Sequence, residues 1–214
     1  MITPEASSRA PGSIGQGLLL VALNISWALV MARFGRGDIY WVGGLHALLA
    51  AAIVVALRRA SLLETLRPRG QDVVLGLAVG VIMTAGTYAV FEAARALVPG
   101  LATDVARLYR AAGTETPAIA LAWTLVILTG EELLWRGAWI DVWGARLGAT
   151  MAAVSSVVAF ALTQLGSGSL IVALLALCCG AIWTGLRMHT GRVVPGLIAH
   201  AIWTPVVILF YPVV

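Results

Sequence analysis

The stretch "LTGEELLWRG", Leu128 to Gly137, decides how this chain is read. It sets two adjacent carboxylates, Glu131 and Glu132, and the cation of Arg136 inside a run that is otherwise apolar. Charged groups in membrane helices face the bundle interior and mark a pathway or a site. If the helix stopped at Gly137, snorkelling at the membrane surface would explain them. Trp139, Ile140, Val142 and Trp143 continue the apolar pattern instead. From Pro117 to Arg146 a helix extends about 43 Å, more than the ~30 Å hydrocarbon core. Glu131 can therefore lie at depth. Glu132 and Arg136, four apart, share a face and can pair. Glu131 is turned about 100° from Glu132 and is left to point elsewhere.

The rest of the chain supports a membrane reading. Of its 214 residues 60% are hydrophobic and only 11% charged, with mean hydropathy +0.95. A soluble domain carries about 25% charge. The predicted fold class is all-α, a polytopic transmembrane helical bundle of seven or eight spans. Candidate spans are 14–33, 39–57, 72–95, 117–145, 149–166, 168–187 and 194–213. They do not alternate in polarity, as the strands of a transmembrane barrel would. Residues 96–116 form the longest break; Leu101, Val105 and Leu108 recur there at helical spacing, which predicts a short interfacial helix. Its dipping into the bilayer would add the eighth span. Residues 1–13 read as a disordered tail before one transmembrane domain at 14–214.

All fourteen basic residues are arginine, and the net charge of +4 needs no nucleic acid. Arginines on short loops follow the positive-inside bias. With the N-terminus inside, Arg9, Arg58, Arg59, Arg67, Arg69, Arg146, Arg187 and Arg192 are cytoplasmic, against Arg33, Arg36, Arg95, Arg107 and Arg110 outside. This asymmetry predicts that the N-terminus lies inside; the membrane is expected to be a prokaryotic cytoplasmic one. Cys178 and Cys179 are neighbours, where a disulfide would be strained, and read as small core residues.

Further polar residues lie within the spans. Gln164, in "FALTQL", stands seventeen after Leu147, and Glu131 stands sixteen before it. In an antiparallel helical hairpin the two reach similar depth and can share a water; an interhelical hydrogen bond from Gln164 is the structural alternative. In "GLIAHAIWTP", His200 and Thr204 are four apart on one face. His46 and His189 read as structural or solvated, Asn24 as an interhelical hydrogen bond, and Glu92 with Arg95 as an interfacial ion pair. Trp135 and Trp203, beside the motifs, wall a groove or simply pack.

Three of these groups, in order and on separate spans, resemble the CAAX protease and bacteriocin-processing (ABI) family of intramembrane glutamic endopeptidases, which includes the type II CAAX prenyl endopeptidases. The family shows Glu-Glu-x-x-x-Arg, then Phe-x-x-x-His, then His-x-x-x-Asn or Asp. Here the first is intact as Glu131, Glu132 and Arg136. The second keeps Phe160 but has Gln164 for histidine, and the third keeps His200 but has Thr204 for Asn or Asp. The stretch 180–203 also resembles the family's approach to its last motif, so the resemblance covers about 117–205.

The resemblance implies an intramembrane peptidase without cofactor. Glu131 would activate water, Glu132 with Arg136 would orient it, and His200 would polarise the scissile carbonyl. Gln164 would hold the water and Thr204 would offer a hydroxyl donor. Gln164 cannot take a proton near neutral pH, so a second reading is an inactive relative that binds a membrane peptide for immunity, assembly or regulation. A zinc site built on Glu131, Glu132 and His200 lacks the histidine at 164, and no HExxH spacing occurs, so no metal is expected. A transporter would need broken helices and internal repeats, which the sequence does not show. The expected partners are the lipid bilayer and a membrane-associated peptide or protein C-terminus.

Overall fold

The computed structural model of the chain describes residues 13–35, 37–112 and 115–213. Among these the architecture is helical with no strand. The tail expected over 1–13 lies, apart from Ser13, outside the described residues. Six helices are long and apolar enough to cross a membrane: α1 (Ile14–Phe34), α2 (Ile39–Thr65), α3 (Gly70–Leu97), a composite Pro117–Leu147, α7 with its 3₁₀ end (Ala149–Ser167), and α8 (Leu170–Thr190). The seventh expected span is a shorter apolar helix, Val194–Phe210. The break at 96–116 contains α4 (Leu101–Ala112), with Val105 buried and Asp104 and Arg107 exposed.

Local chemistry sets the helix ends. Ser13 and Gln16 close a capping box at the start of α1, each side chain taking the other's backbone N–H at 3.1 Å. Pro117 opens α5 (Pro117–Glu131), where its missing N–H costs nothing. Gly148, at φ 80°, makes the tight reversal between α6 (Ile140–Leu147) and α7 (Ala149–Gln164), a left-handed backbone that a side chain would strain. On the same side of the bundle, Val193 N–H donates to the Thr65 carbonyl at 3.1 Å and Arg192 pairs with Asp72 at 3.5 Å. These contacts tie the α2–α3 turn to the start of α9 (Val194–Thr204).

Small residues then set how closely the helices pack. In lipid, helix association depends on packing rather than on exclusion of water, so glycine seams matter. Gly76 and Gly80, in "GLAVG", lie against α9; a Cβ on either would come within 2.8 to 3.1 Å of atoms of Pro195, Ile198, Ala199 or Ile202. Gly130 of α5 meets Ala47 of α2 in the same way, at 2.8 Å. The other face of α3 carries Val74, Val81, Ile82 and Val90, all exposed. A lipid-facing belt of this kind is the normal solution for an outer span.

The fourth span departs from the uniform helix that the sequence suggested. Between α5 and α6 the backbone widens into a π-helix, Glu132–Trp139, every residue of which is buried. π turns inside α-helices are rare and concentrate at functional sites. Here neighbouring helices supply partners to this stretch. Ser156 of α7 donates to the Trp135 carbonyl at 2.8 Å, and Arg187 of α8 donates to the Arg136 carbonyl at 3.0 Å. Arg187 also pairs with Asp141 at 2.8 Å, and Asp141 accepts from Ser61 of α2.

Candidate active site

The junction between α5 and the π segment falls at Glu131 and Glu132. Glu132 and Arg136 are fully buried, and Glu131 is 8% exposed. Glu132 Oε1 lies 3.3 Å from Arg136 Nη1, so the expected pair forms. The approach lies off the hydrogen-bond direction, and Nη1 has no hydrogen-bond partner among the described residues. The guanidinium is held elsewhere: Nε donates to Thr184 Oγ1 and Nη2 to the Gly180 carbonyl, both at 3.3 Å. Its carbon also lies 4.5 Å from the Phe160 ring centre and 5.4 Å from that of Trp183. Desolvated cation–π contacts of this kind contribute about 2 kcal/mol.

His200 reaches the carboxylates from α9. Its Nδ1 lies 3.0 Å from Glu132 Oε1. A carboxylate paired with arginine can only accept, so Nδ1 carries the hydrogen. Nε2 is thereby turned to Glu131, with Glu131 Oε2 at 3.9 Å, close for an ion pair and too long for a hydrogen bond. Trp183 stacks on the imidazole at 3.6 Å and 17°. Glu132 thus orients His200 rather than Glu131, a division of labour the sequence motif does not reveal.

Glycines make room for these buried groups. A Cβ at 180 would stand 2.9 Å from Arg136 Nη2, and one at 196 would stand 3.1 Å from Glu132 Oε2. Burying two carboxylates is tolerable only if the cluster is near neutral. Arg136 balances Glu132. One further proton, on Glu131 or on His200 Nε2, balances the rest.

The other motif residues sit nearby without joining this network. Gln164 is buried at the end of α7 but, among the described residues, makes no side-chain hydrogen bond. Gln164 and Glu131 make no direct hydrogen bond among the described residues. Thr204, at the end of α9, has its Oγ1 buried and without a partner. Trp203 donates to Thr87 of α3 at 2.8 Å and Trp135 to Asn24 of α1 at 2.9 Å, so both are anchored as well as packed. Glu92 and Arg95 form an exposed ion pair. Cys179 is buried while Cys178 is exposed, and His189 lies exposed in the last turn of α8 rather than in a loop.

Sequence reasoning missed Trp183, Thr184, Asp141 and Arg187. A heptad-like recurrence of Gly180, Thr184 and Arg187 along one face of α8 was the available signal. His46 reads from the sequence as structural or solvated. The structure puts His46 on the wall of a cavity of about 10 Å³ shared with Glu131, Trp27, Ala47 and Trp135.

Residues 113–206 match a family model described as type II CAAX prenyl endopeptidase Rce1-like. The match covers all three motifs. No curated protein and no solved structure matches the chain. The six membrane-length apolar helices among the described residues make the chain a polytopic helical bundle of the integral-membrane kind, and the match is consistent with that.

Proposed function

We propose, from the match of residues 113–206 to the Rce1-like type II CAAX prenyl endopeptidase family model, that the chain is an intramembrane glutamic endopeptidase. It hydrolyses a peptide bond in a membrane-associated or C-terminal peptide segment. The observation that carries this reading is the buried meeting of Glu131, Glu132, Arg136 and His200, drawn from two helices.

The chemistry follows from the proton that Glu131 and His200 share. With the proton on His200 Nε2, Glu131 is an ionised base beside an imidazolium. Glu131 takes a proton from water as the water oxygen attacks the scissile carbonyl carbon. His200 Nε2–H donates to the oxyanion that forms, and Glu132 stabilises the imidazolium from behind. The C–N bond then breaks, and Glu131 returns its proton to the leaving amine. A fixed oxyanion donor of this type contributes about 3 kcal/mol. Thr204, with its unpartnered hydroxyl one turn along α9 from His200, is the candidate second donor. The arginine distribution supports placing the N-terminus on the cytoplasmic side.

A second reading has its own support. Gln164 and Thr204 depart from the family motifs, and neither makes a described side-chain hydrogen bond to the cluster. Under it the chain binds a membrane peptide without cutting it. Comparing membrane-associated protein termini between wild-type and Glu131→Gln cells separates the two. Termini that disappear in the variant support the peptidase. An unchanged set of termini, with a binding phenotype intact, overturns it.

A further inference from the structure

His46 stands outside every motif and outside the family match, on α2. Its Nε2 lies 2.7 Å from Ser26 Oγ of α1. That hydroxyl also donates to the Leu23 carbonyl at 2.9 Å. A serine has one hydrogen to give. Once it goes to Leu23, Ser26 must accept from His46, so Nε2 carries the imidazole hydrogen. Nδ1 is left as a lone pair, buried and without a partner among the described residues. The opposite arrangement would orphan a buried N–H, which costs about 1–3 kcal/mol.

Nδ1 is not alone in lacking a partner. Trp27 Nε1 is also buried with none, and the Trp27 ring lies 4.9 Å from the His46 ring. Both residues line the cavity that Glu131 lines. About 10 Å³ is the room one water needs. Three of the residues that line it carry polar groups of complementary kind. Glu131 and His46 Nδ1 accept, and Trp27 Nε1 donates. A water there would use both its hydrogens and one lone pair. Buried waters characteristically make about three such bonds.

We propose that this cavity seats the water that Glu131 activates, and that His46 is a further catalytic residue, holding that water through Nδ1. The inference rests on the peptidase reading for its catalytic half only. The proton still goes to Glu131; His46 accepts a hydrogen bond and aligns the attacking oxygen.

Two measurements test it on the intact protein in lipid vesicles. The first uses a synthetic peptide spanning a terminus that disappears in the Glu131→Gln strain. His46→Gln, whose amide can still bond Ser26, is expected to lower hydrolysis by at least about 10²-fold at unchanged melting temperature. Trp27→Phe is expected to lower it less. Hydrolysis within a few-fold of wild type in a folded His46→Gln protein overturns the catalytic role. The second needs no substrate. The Glu131 carboxyl infrared band, assigned by its loss in Glu131→Gln, is expected to move in His46→Gln. An unmoved band overturns the shared water. If no terminus depends on Glu131, the peptidase reading fails by itself, and the band alone decides whether the water links the two residues.

Discussion

Helix α3 and the Pro117–Leu147 span cross the bundle side by side with the rest, yet 17% of the one and 50% of the other is buried over their most apolar windows. The more apolar of the two is the more exposed. In a soluble protein the order would be reversed. Here lipid takes much of the apolar surface, and the interior, apolar in the main, also holds the groups that need one another: Glu132 for Arg136, His200 for Glu132, Asp141 for Arg187. Burial in this fold therefore follows polar partnership and small-residue fit, not hydropathy.

Substitutions can break or sharpen that contrast. The largest expected effect is on chemistry: Glu131→Gln should lower peptide cleavage by about 10²–10⁴-fold while leaving the melting temperature nearly unchanged, since the amide fills the same space. Arg136→Met comes next. It leaves buried Glu132 without its guanidinium, with only His200 as a partner, and should destabilise by about 3–5 kcal/mol, read from unfolding in detergent. Gly80→Val probes the exception within α3, the side that meets α9. Overpacking there should cost about 1–3 kcal/mol and should also lower cleavage, because α9 carries His200. Ile82→Ala, two residues on and 68% exposed, should leave cleavage unchanged and stability within about 0.5 kcal/mol. A cost at 82 equal to that at 80 would erase the distinction between the two faces. The smallest effect belongs to Arg95→Ala, whose half-exposed pair with Glu92 should contribute no more than about 0.5 kcal/mol.

The same contrast explains what the sequence could disclose. Spans were legible because length and apolarity are local properties; most boundaries moved by three residues or fewer, while α2 runs eight residues past its expected end at 57, through a kink at Arg58. Glu131, Glu132, Arg136 and His200 were legible because a charge in an apolar run is conspicuous. The "GLAVG" seam was visible as letters, but its partner, α9, lies more than a hundred residues away in the chain. Trp183 was hidden because a tryptophan in a span has many uses, and only tertiary contact distinguishes a stack on His200 from a lipid anchor. His46 was hidden for a similar reason: its meaning depends on Ser26, Trp27 and Glu131, from two other helices. Asp141 and Arg187 were each ordinary in sequence until the fold joined them.

The wide turn at Glu132–Trp139 has a developmental consequence. Its carbonyls at 135 and 136 are met by Ser156 and Arg187, which arrive later in the chain. Removing the first contact, as Ser156→Ala, should cost about 1 kcal/mol. A newly inserted fourth segment, still without its neighbours, has no reason to depart from the ordinary spiral. The wide turn that sets the aim of the two glutamates is held by helices that follow it in the chain, so its hydrogen-bond partners are in place only once α7 and α8 have packed.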